Sequence, residues 1–158
     1  MGNSNSNPKN IESEINDCFM EIVNNISKIV YNVWNCSHDY TQYTIQRNAC
    51  LKIIDAAHKA FNSKTNIETI TNIYLIPLIP RLNDLPIYDR SYYNNQSTAI
   101  KEINKLSSLI NQYIELQKQD RIQSLENENN ELKKTISQMT VHQNPPVNPY
   151  ASAPQYDK

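Results

Sequence analysis

The chain opens Met1-Gly2-Asn3-Ser4-Asn5-Ser6, and these residues carry the sharpest chemical signal in it. They fit the N-myristoylation pattern Met-Gly-x-x-x-Ser/Thr, with Gly2 exposed once Met1 is removed and Ser6 in the required place. An acyltransferase needs a free glycine amine with no side chain beside it, followed by small polar residues that thread its groove. Asn3, Ser4 and Asn5 meet that need. Gly2 is also the only glycine in 158 residues, where ordinary usage of ~7% would give about 11. Glycine is thus retained at the one position where alanine could not be acylated. The spacing predicts N-myristoylation of Gly2 in a eukaryotic host. The alternative is a polar leader with a chance glycine.

No other residues are spaced for covalent chemistry. His38, His58 and His142 are scattered over different segments, and no Ser or Cys nucleophile is placed with His58 and Asp55. A phosphate-cradling glycine loop is excluded by the glycine count. Cys36 and His38 stand two apart without a second ligand pair, so no metal site is expected. The expectation is a non-enzyme with no catalytic residues, no metal and no cofactor.

One myristoyl chain gives only marginal anchoring, with K on the order of 10⁴ M⁻¹. The first twenty residues supply no polybasic patch to reinforce it, because Lys9 stands against Glu12, Glu14 and Asp17. Cys18 is a candidate for palmitoylation, but it lies on an apolar helix face, where a buried free thiol is expected. Self-association or a partner protein remains as the second signal.

The elements behind the leader are helical. After a flexible leader over residues 1–8, Ile11, Ile15, Cys18, Phe19, Ile22, Ile26, Ile29, Val30 and Val33 recur at steps of three and four. They predict an amphipathic helix to about Trp34, followed by a turn over Asn35 to Asp39. A second helix is expected from Asp39 to Phe61, burying Tyr43, Ala49 or Cys50, Leu51, Ile54, Ala57 and Phe61. A third runs from about Lys64 to Ile76, with Ile67, Ile70, Ile73 and Tyr74 inward. Pro77, Pro80 and Pro86 then break any helix. Leu75 to Ile87 is expected to be an extended segment packed across the bundle, with a membrane- or partner-contacting loop as the alternative. The fold class is therefore all-α: a helical bundle over 9–95 with a proline-broken segment at 75–90, and a long helix over 96–140.

That long helix starts near Gln96 or Ser97 and buries Ile100, Ile103, Leu106, Ile110, Tyr113 and Ile114. Its second half changes register. Ile122, Leu125, Asn129, Leu132, Ile136 and Met139 alternate at three and four residues, which is a heptad a/d seam over 121–139. Arg121 and Glu128 occupy g, and Glu126 and Lys133 occupy e, so both g–e′ pairs of a parallel partner are opposite in charge. Asn129 at an a position fixes register and favours a parallel dimer. A homodimer or homo-oligomer is expected, against the alternative of a stripe packed on its own domain.

From 141 to 158 the composition turns to proline, tyrosine and asparagine, and a disordered tail is expected. Pro145, Pro146, Pro149, Tyr150 and Pro154 mark a possible contact with a host protein, since extended proline segments lose little entropy on docking. The Pro-Pro-x-Tyr pattern is not met, and only the last three residues of Pro-Ser/Thr-Ala-Pro are present.

Composition bounds the rest. Hydrophobic residues make up 39%, charged residues 20%, and the net charge is −1. No overall field attracts nucleic acid, and the heptads lack the basic region of a DNA-binding zipper. Abundant Asn and Ile point weakly to an AT-rich genome, such as that of a large DNA virus, a protist or a parasite. A polar N-terminus gives no signal peptide to read. Three cysteines suggest reduced thiols in a cytosolic setting.

A lipidated helical domain, an oligomerising helix and a proline/tyrosine tail together resemble small matrix-type and virion-membrane proteins of viruses. The resemblance is one of architecture, matched closely only by the Gly2 motif at residues 1–6. It implies docking by lipid at the cytoplasmic face of a membrane, avidity from oligomerisation, and recruitment of host machinery by the tail. The alternative is a cytosolic adaptor that binds a partner through the seam or the tail, with reversible or no membrane attachment.

Overall fold

The structure is a computed structural model and describes residues 8–29, 40–87 and 90–143. The leader with Gly2, the turn at 35–39 with Val30 and Val33, and the tail with Pro145, Pro146, Pro149, Tyr150 and Pro154 lie outside the described residues.

The described residues are all-α, with no strand among them. In order they form α1 (Pro8–Lys28), α2 (Tyr40–Asn62), α3 (Ile67–Ile70), a π-helical stretch (Thr71–Leu75), α4 (Ile76–Asn83), a 3₁₀ turn (Arg90–Tyr92) and α5 (Tyr93–Gln143). They divide within α5 into two units, Met1–Gln117 and Lys118–Lys158.

The first unit holds the core. On α1, Ile11, Ile15, Cys18, Phe19, Ile22 and Ile26 are buried, which is the stripe its periodicity requires, and Ile29 just past its end is buried with them. Cys50, not Ala49, is the buried member of that pair on α2, beside Tyr43, Ile54, Ala57 and Phe61, while Leu51 is half-buried. From α5, Ala99, Ile103, Leu106, Leu109, Ile110 and Tyr113 complete the core, with Ile100 and Ile114 half-buried. Phe61 is at the junction of three helices: its ring is 6.2 Å from Phe19 and 5.3 Å from Tyr113, the latter edge-on.

Polar ties fix the ends. The Tyr43 hydroxyl (3.1 Å) and Arg47 Nη1 (3.2 Å) both donate to the Ile29 carbonyl, satisfying an acceptor just past α1. Gln96 Nε2 donates to the Leu82 carbonyl at 2.5 Å, joining the start of α5 to α4. Lys64 pairs with Glu12 and lies over the rings of Phe61 (4.4 Å) and Tyr113 (4.9 Å).

Two expectations fail between residues 70 and 87. The proline-rich stretch is not extended: Ile76–Asn83 is a helix. Pro77 is its second residue, but the helical backbone runs on from the π-helical stretch, so its missing N–H falls within a continuing helix. Pro80 is interior and costs ~3 kcal/mol. Full burial of Leu75, Leu78 and Leu82 outweighs it, since each contributes roughly 1.5–3 kcal/mol.

The second correction is Ile73, expected inward but 58% exposed. The π-helical stretch is the reason. Ile76 N–H bonds to the Thr71 carbonyl, five residues back, so one extra residue enters the turn. The inward register therefore passes from Ile70 to Leu75, with Tyr74 half-buried, and skips Ile73.

Candidate self-association surface

The second unit contains the seam residues, all on α5. Every residue from 118 to 141 is exposed. Ile122 (57%), Leu125 (49%), Leu132 (59%), Ile136 (61%) and Met139 (52%) are therefore large apolar side chains with about half their surface in water. Asn129, exposed, lies among them at the central a position.

The helix beneath them is held by its own backbone and by local polar contacts. Lys134 Nζ is 2.8 Å from Glu131 Oε1, one turn away and fully on the surface. Thr135 Oγ1 donates to the Glu131 carbonyl at 3.0 Å and Thr140 Oγ1 to the Ile136 carbonyl at 2.8 Å. These contacts leave the a and d positions clear.

The seam does not continue the buried stripe of the first unit. Ala99, Ile103, Leu106, Ile110 and Tyr113 step by four and three, and the next seam residue, Ile122, falls about two and a half turns after Tyr113. A single stripe prolonged along α5 would have put apolar residues at 117 and 120, where Gln117 and Asp120 stand.

The a positions carry Ile122, Asn129 and Ile136, and the d positions Leu125, Leu132 and Met139. β-branched residues at a with leucine at d are the combination that selects two parallel strands. One partner orientation thus satisfies the a/d choice, the Asn129 pair and both g–e′ charge pairs together.

Two cysteines and a histidine lie in or against the bundle interior. Cys18 Sγ donates to Glu102 Oε2 at 3.5 Å, and burial, then this carboxylate, push the thiol up to about 11. It is buried, and the raised pKa favours the protonated thiol at neutral pH. Burial also raises the Cys50 thiol. The His58 ring stacks on Phe19 at 4.5 Å and its Nε2 is 2.8 Å from Asn16 Oδ1. An amide oxygen can only accept, so Nε2 carries the proton. Burial lowers the His58 pKa, with Asp55 opposing. Among the described residues no three His, Cys, Asp or Glu side chains cluster to hold a metal ion, and no helix is long and apolar enough to cross a membrane.

No protein-family model, curated protein or solved structure matches the chain.

Proposed function

We propose that this protein is a peripheral membrane protein with a structural or assembly role, attached by a myristoyl group on Gly2 and self-associating through Ile122, Leu125, Asn129, Leu132, Ile136 and Met139. The observation that carries the reading is the seam: five large apolar side chains at a and d spacing, each half in water on the part of α5 from 118 to 141, where every residue is exposed. A second copy in parallel register covers them, pairs Asn129 with Asn129, and sets Arg121 against Glu126 and Glu128 against Lys133. The viral matrix-type role, the cytoplasmic leaflet and the absence of enzymatic activity belong to the same reading.

Magnitudes explain why lipid and seam belong together. Removing the remaining exposed half of these side chains from water contributes about 1 kcal/mol each, or about 10 kcal/mol for two helices. Association costs ~4–15 kcal/mol. The dimer is therefore weak in dilute solution. A single myristoyl chain is weak as well. Two acyl chains on one dimer reinforce each other through effective concentration, by 10²-fold or more on the order-of-magnitude scale of such linkages.

Intact-mass analysis and membrane flotation of the protein expressed in a eukaryotic cell test this, beside Gly2→Ala and a Leu125→Asp/Leu132→Asp variant. The reading expects one myristoyl group, lost in Gly2→Ala, and flotation weakened by either change. An unmodified N-terminus removes the anchor. Flotation indifferent to the seam removes self-association from the mechanism and favours the adaptor alternative.

A further inference from the structure

The π-helical stretch that turns Ile73 outward creates a second apolar surface, on the first unit. Ile73 (58% exposed) and Ile76 (53%) stand beside Pro77 and Pro80, both exposed. All four are exposed, so after the π-helical turn they share the solvent side of the helix. No charged side chain occurs between Glu68 and Arg81. The face is thus an uncharged apolar strip on a helix whose opposite side, Leu75, Leu78 and Leu82, is fully buried.

Two things on this unit bear on what covers it. The first is position. Asn16 and Glu12 on α1 contact His58 and Lys64 at the far end of α2, so α1 begins at the end of the bundle where α3 also begins. Gly2 precedes Pro8 by a short leader of 1–7, with a reach of about 20 Å when extended. Ile73 and Pro80 lie roughly 9 and 20 Å along the helix from Ile67. The leader is therefore long enough for an acyl chain on Gly2 to enter the same bilayer that meets this face. The second is charge. A face without ionic groups offers nothing to a charged partner, and a hydrocarbon boundary asks for none. Pro77 and Pro80 have no N–H to leave unsatisfied there.

We propose that the Ile73–Ile76–Pro77–Pro80 face inserts into the headgroup–acyl boundary of a bilayer and is the second membrane signal beside the Gly2 acyl chain. This rests on the lipid-anchor reading for its orientation but is tested apart from it. A shallow apolar insertion of this kind binds neutral and anionic vesicles alike and is insensitive to salt.

The experiment is vesicle partitioning of the full chain on phosphatidylcholine, with and without phosphatidylserine, at low and high salt. Wild type is compared with Ile73→Glu/Ile76→Glu and with Ile73→Ser/Ile76→Ser, always at the same acylation state as fixed by intact mass. Both positions are exposed, and circular dichroism checks that each variant keeps the fold. The expected result is a loss of roughly fivefold per substituted side chain in the serine variant and more in the glutamate variant, on both vesicle types and at both salt levels. In Ile76→Trp, emission gains a blue-shifted component on vesicles beyond that of wild type, which carries Trp34. Partitioning unchanged by both double variants overturns the proposal, as does binding confined to anionic vesicles and abolished by salt. A missing myristoyl mass overturns the anchor but not the face, because the comparison within one acylation state still reads it.

Discussion

Lys64, in the turn after α2, pairs with the carboxylate of Glu12 on α1 while its ammonium lies over the rings of Phe61 and Tyr113. One side chain thereby joins α1, α2 and α5. Burial alone would lower its pKa, but the hydrogen bonds to Glu12 and Tyr113 outweigh that and raise it. Lys64 also takes a left-handed backbone, φ 56°, as does Asn66, φ 47°. The turn is closed by Lys64 N–H to the Phe61 carbonyl and Thr65 N–H to the Ala60 carbonyl.

Lys64→Ala removes the ion pair and the ring contacts and keeps the unfavourable φ. The pair is about 40% exposed, so it is discounted for solvent, and the ring contacts add ~0.5–1 kcal/mol. A loss of about 1 kcal/mol is expected in urea unfolding. Glu12→Gln, which keeps the ring contacts, should lose less.

Stability should fall at both ends of the pH scale. The His58 pKa is lowered in the fold, so its contribution is present above the unfolded value of 6.5 and is lost as pH falls through the folded one. At the other end, burial raises Cys18 from 9.0 to about 11 and Tyr43 from 10.0 to about 12. Their contributions are present below the unfolded values and are lost as pH rises through the folded ones. Thermal melts across pH should drop below about 6.5 and above about 9. His58→Gln should flatten the acid limb and Cys18→Ala part of the alkaline limb; unchanged limbs would contradict the assignments.

After the π-helical turn, Leu78 is fully buried while Ile73 is largely exposed. Leu78→Ala empties a fully buried site and should cost ~2–5 kcal/mol. Ile73→Ala, at an exposed position, should stay within ~0.5 kcal/mol. Equal losses in denaturant unfolding would mean that Ile73 is inward after all.

These residues also mark where the sequence stops being legible. The stripe of α1 is readable because six apolar residues repeat at one period on one helix. The same reasoning failed after Ile70, because a single extra residue in a π turn shifts the register without any compositional sign. It failed again at Pro77 and Pro80, where local propensity argues against a helix and burial of Leu75, Leu78 and Leu82 overrides it. The ties from Lys64 to Glu12 and from Cys18 to Glu102 join residues far apart in the chain, and no spacing rule encodes them. The seam was legible residue by residue, since heptad spacing is local; its exposure was not.

Asn129 gives a prediction opposite in sign to an ordinary polar-to-apolar surface change. An Asn pair at a specifies register and strand number at a cost in stability. Asn129→Ile should raise the melting temperature of the dimer and broaden its oligomer distribution in sedimentation velocity. A variant that stays monomeric and melts like wild type would show that this position faces no partner.

Self-association is the claim on which the functional reading turns, and sedimentation equilibrium of the full chain tests it most directly. Wild type is compared with Leu125→Asp/Leu132→Asp over a range of concentrations, with circular dichroism to confirm that both remain helical. The account predicts that wild type moves with concentration from 18.3 kDa towards twice that mass, while the double variant stays at 18.3 kDa. Wild type that remains at the single-chain mass at every concentration would contradict it.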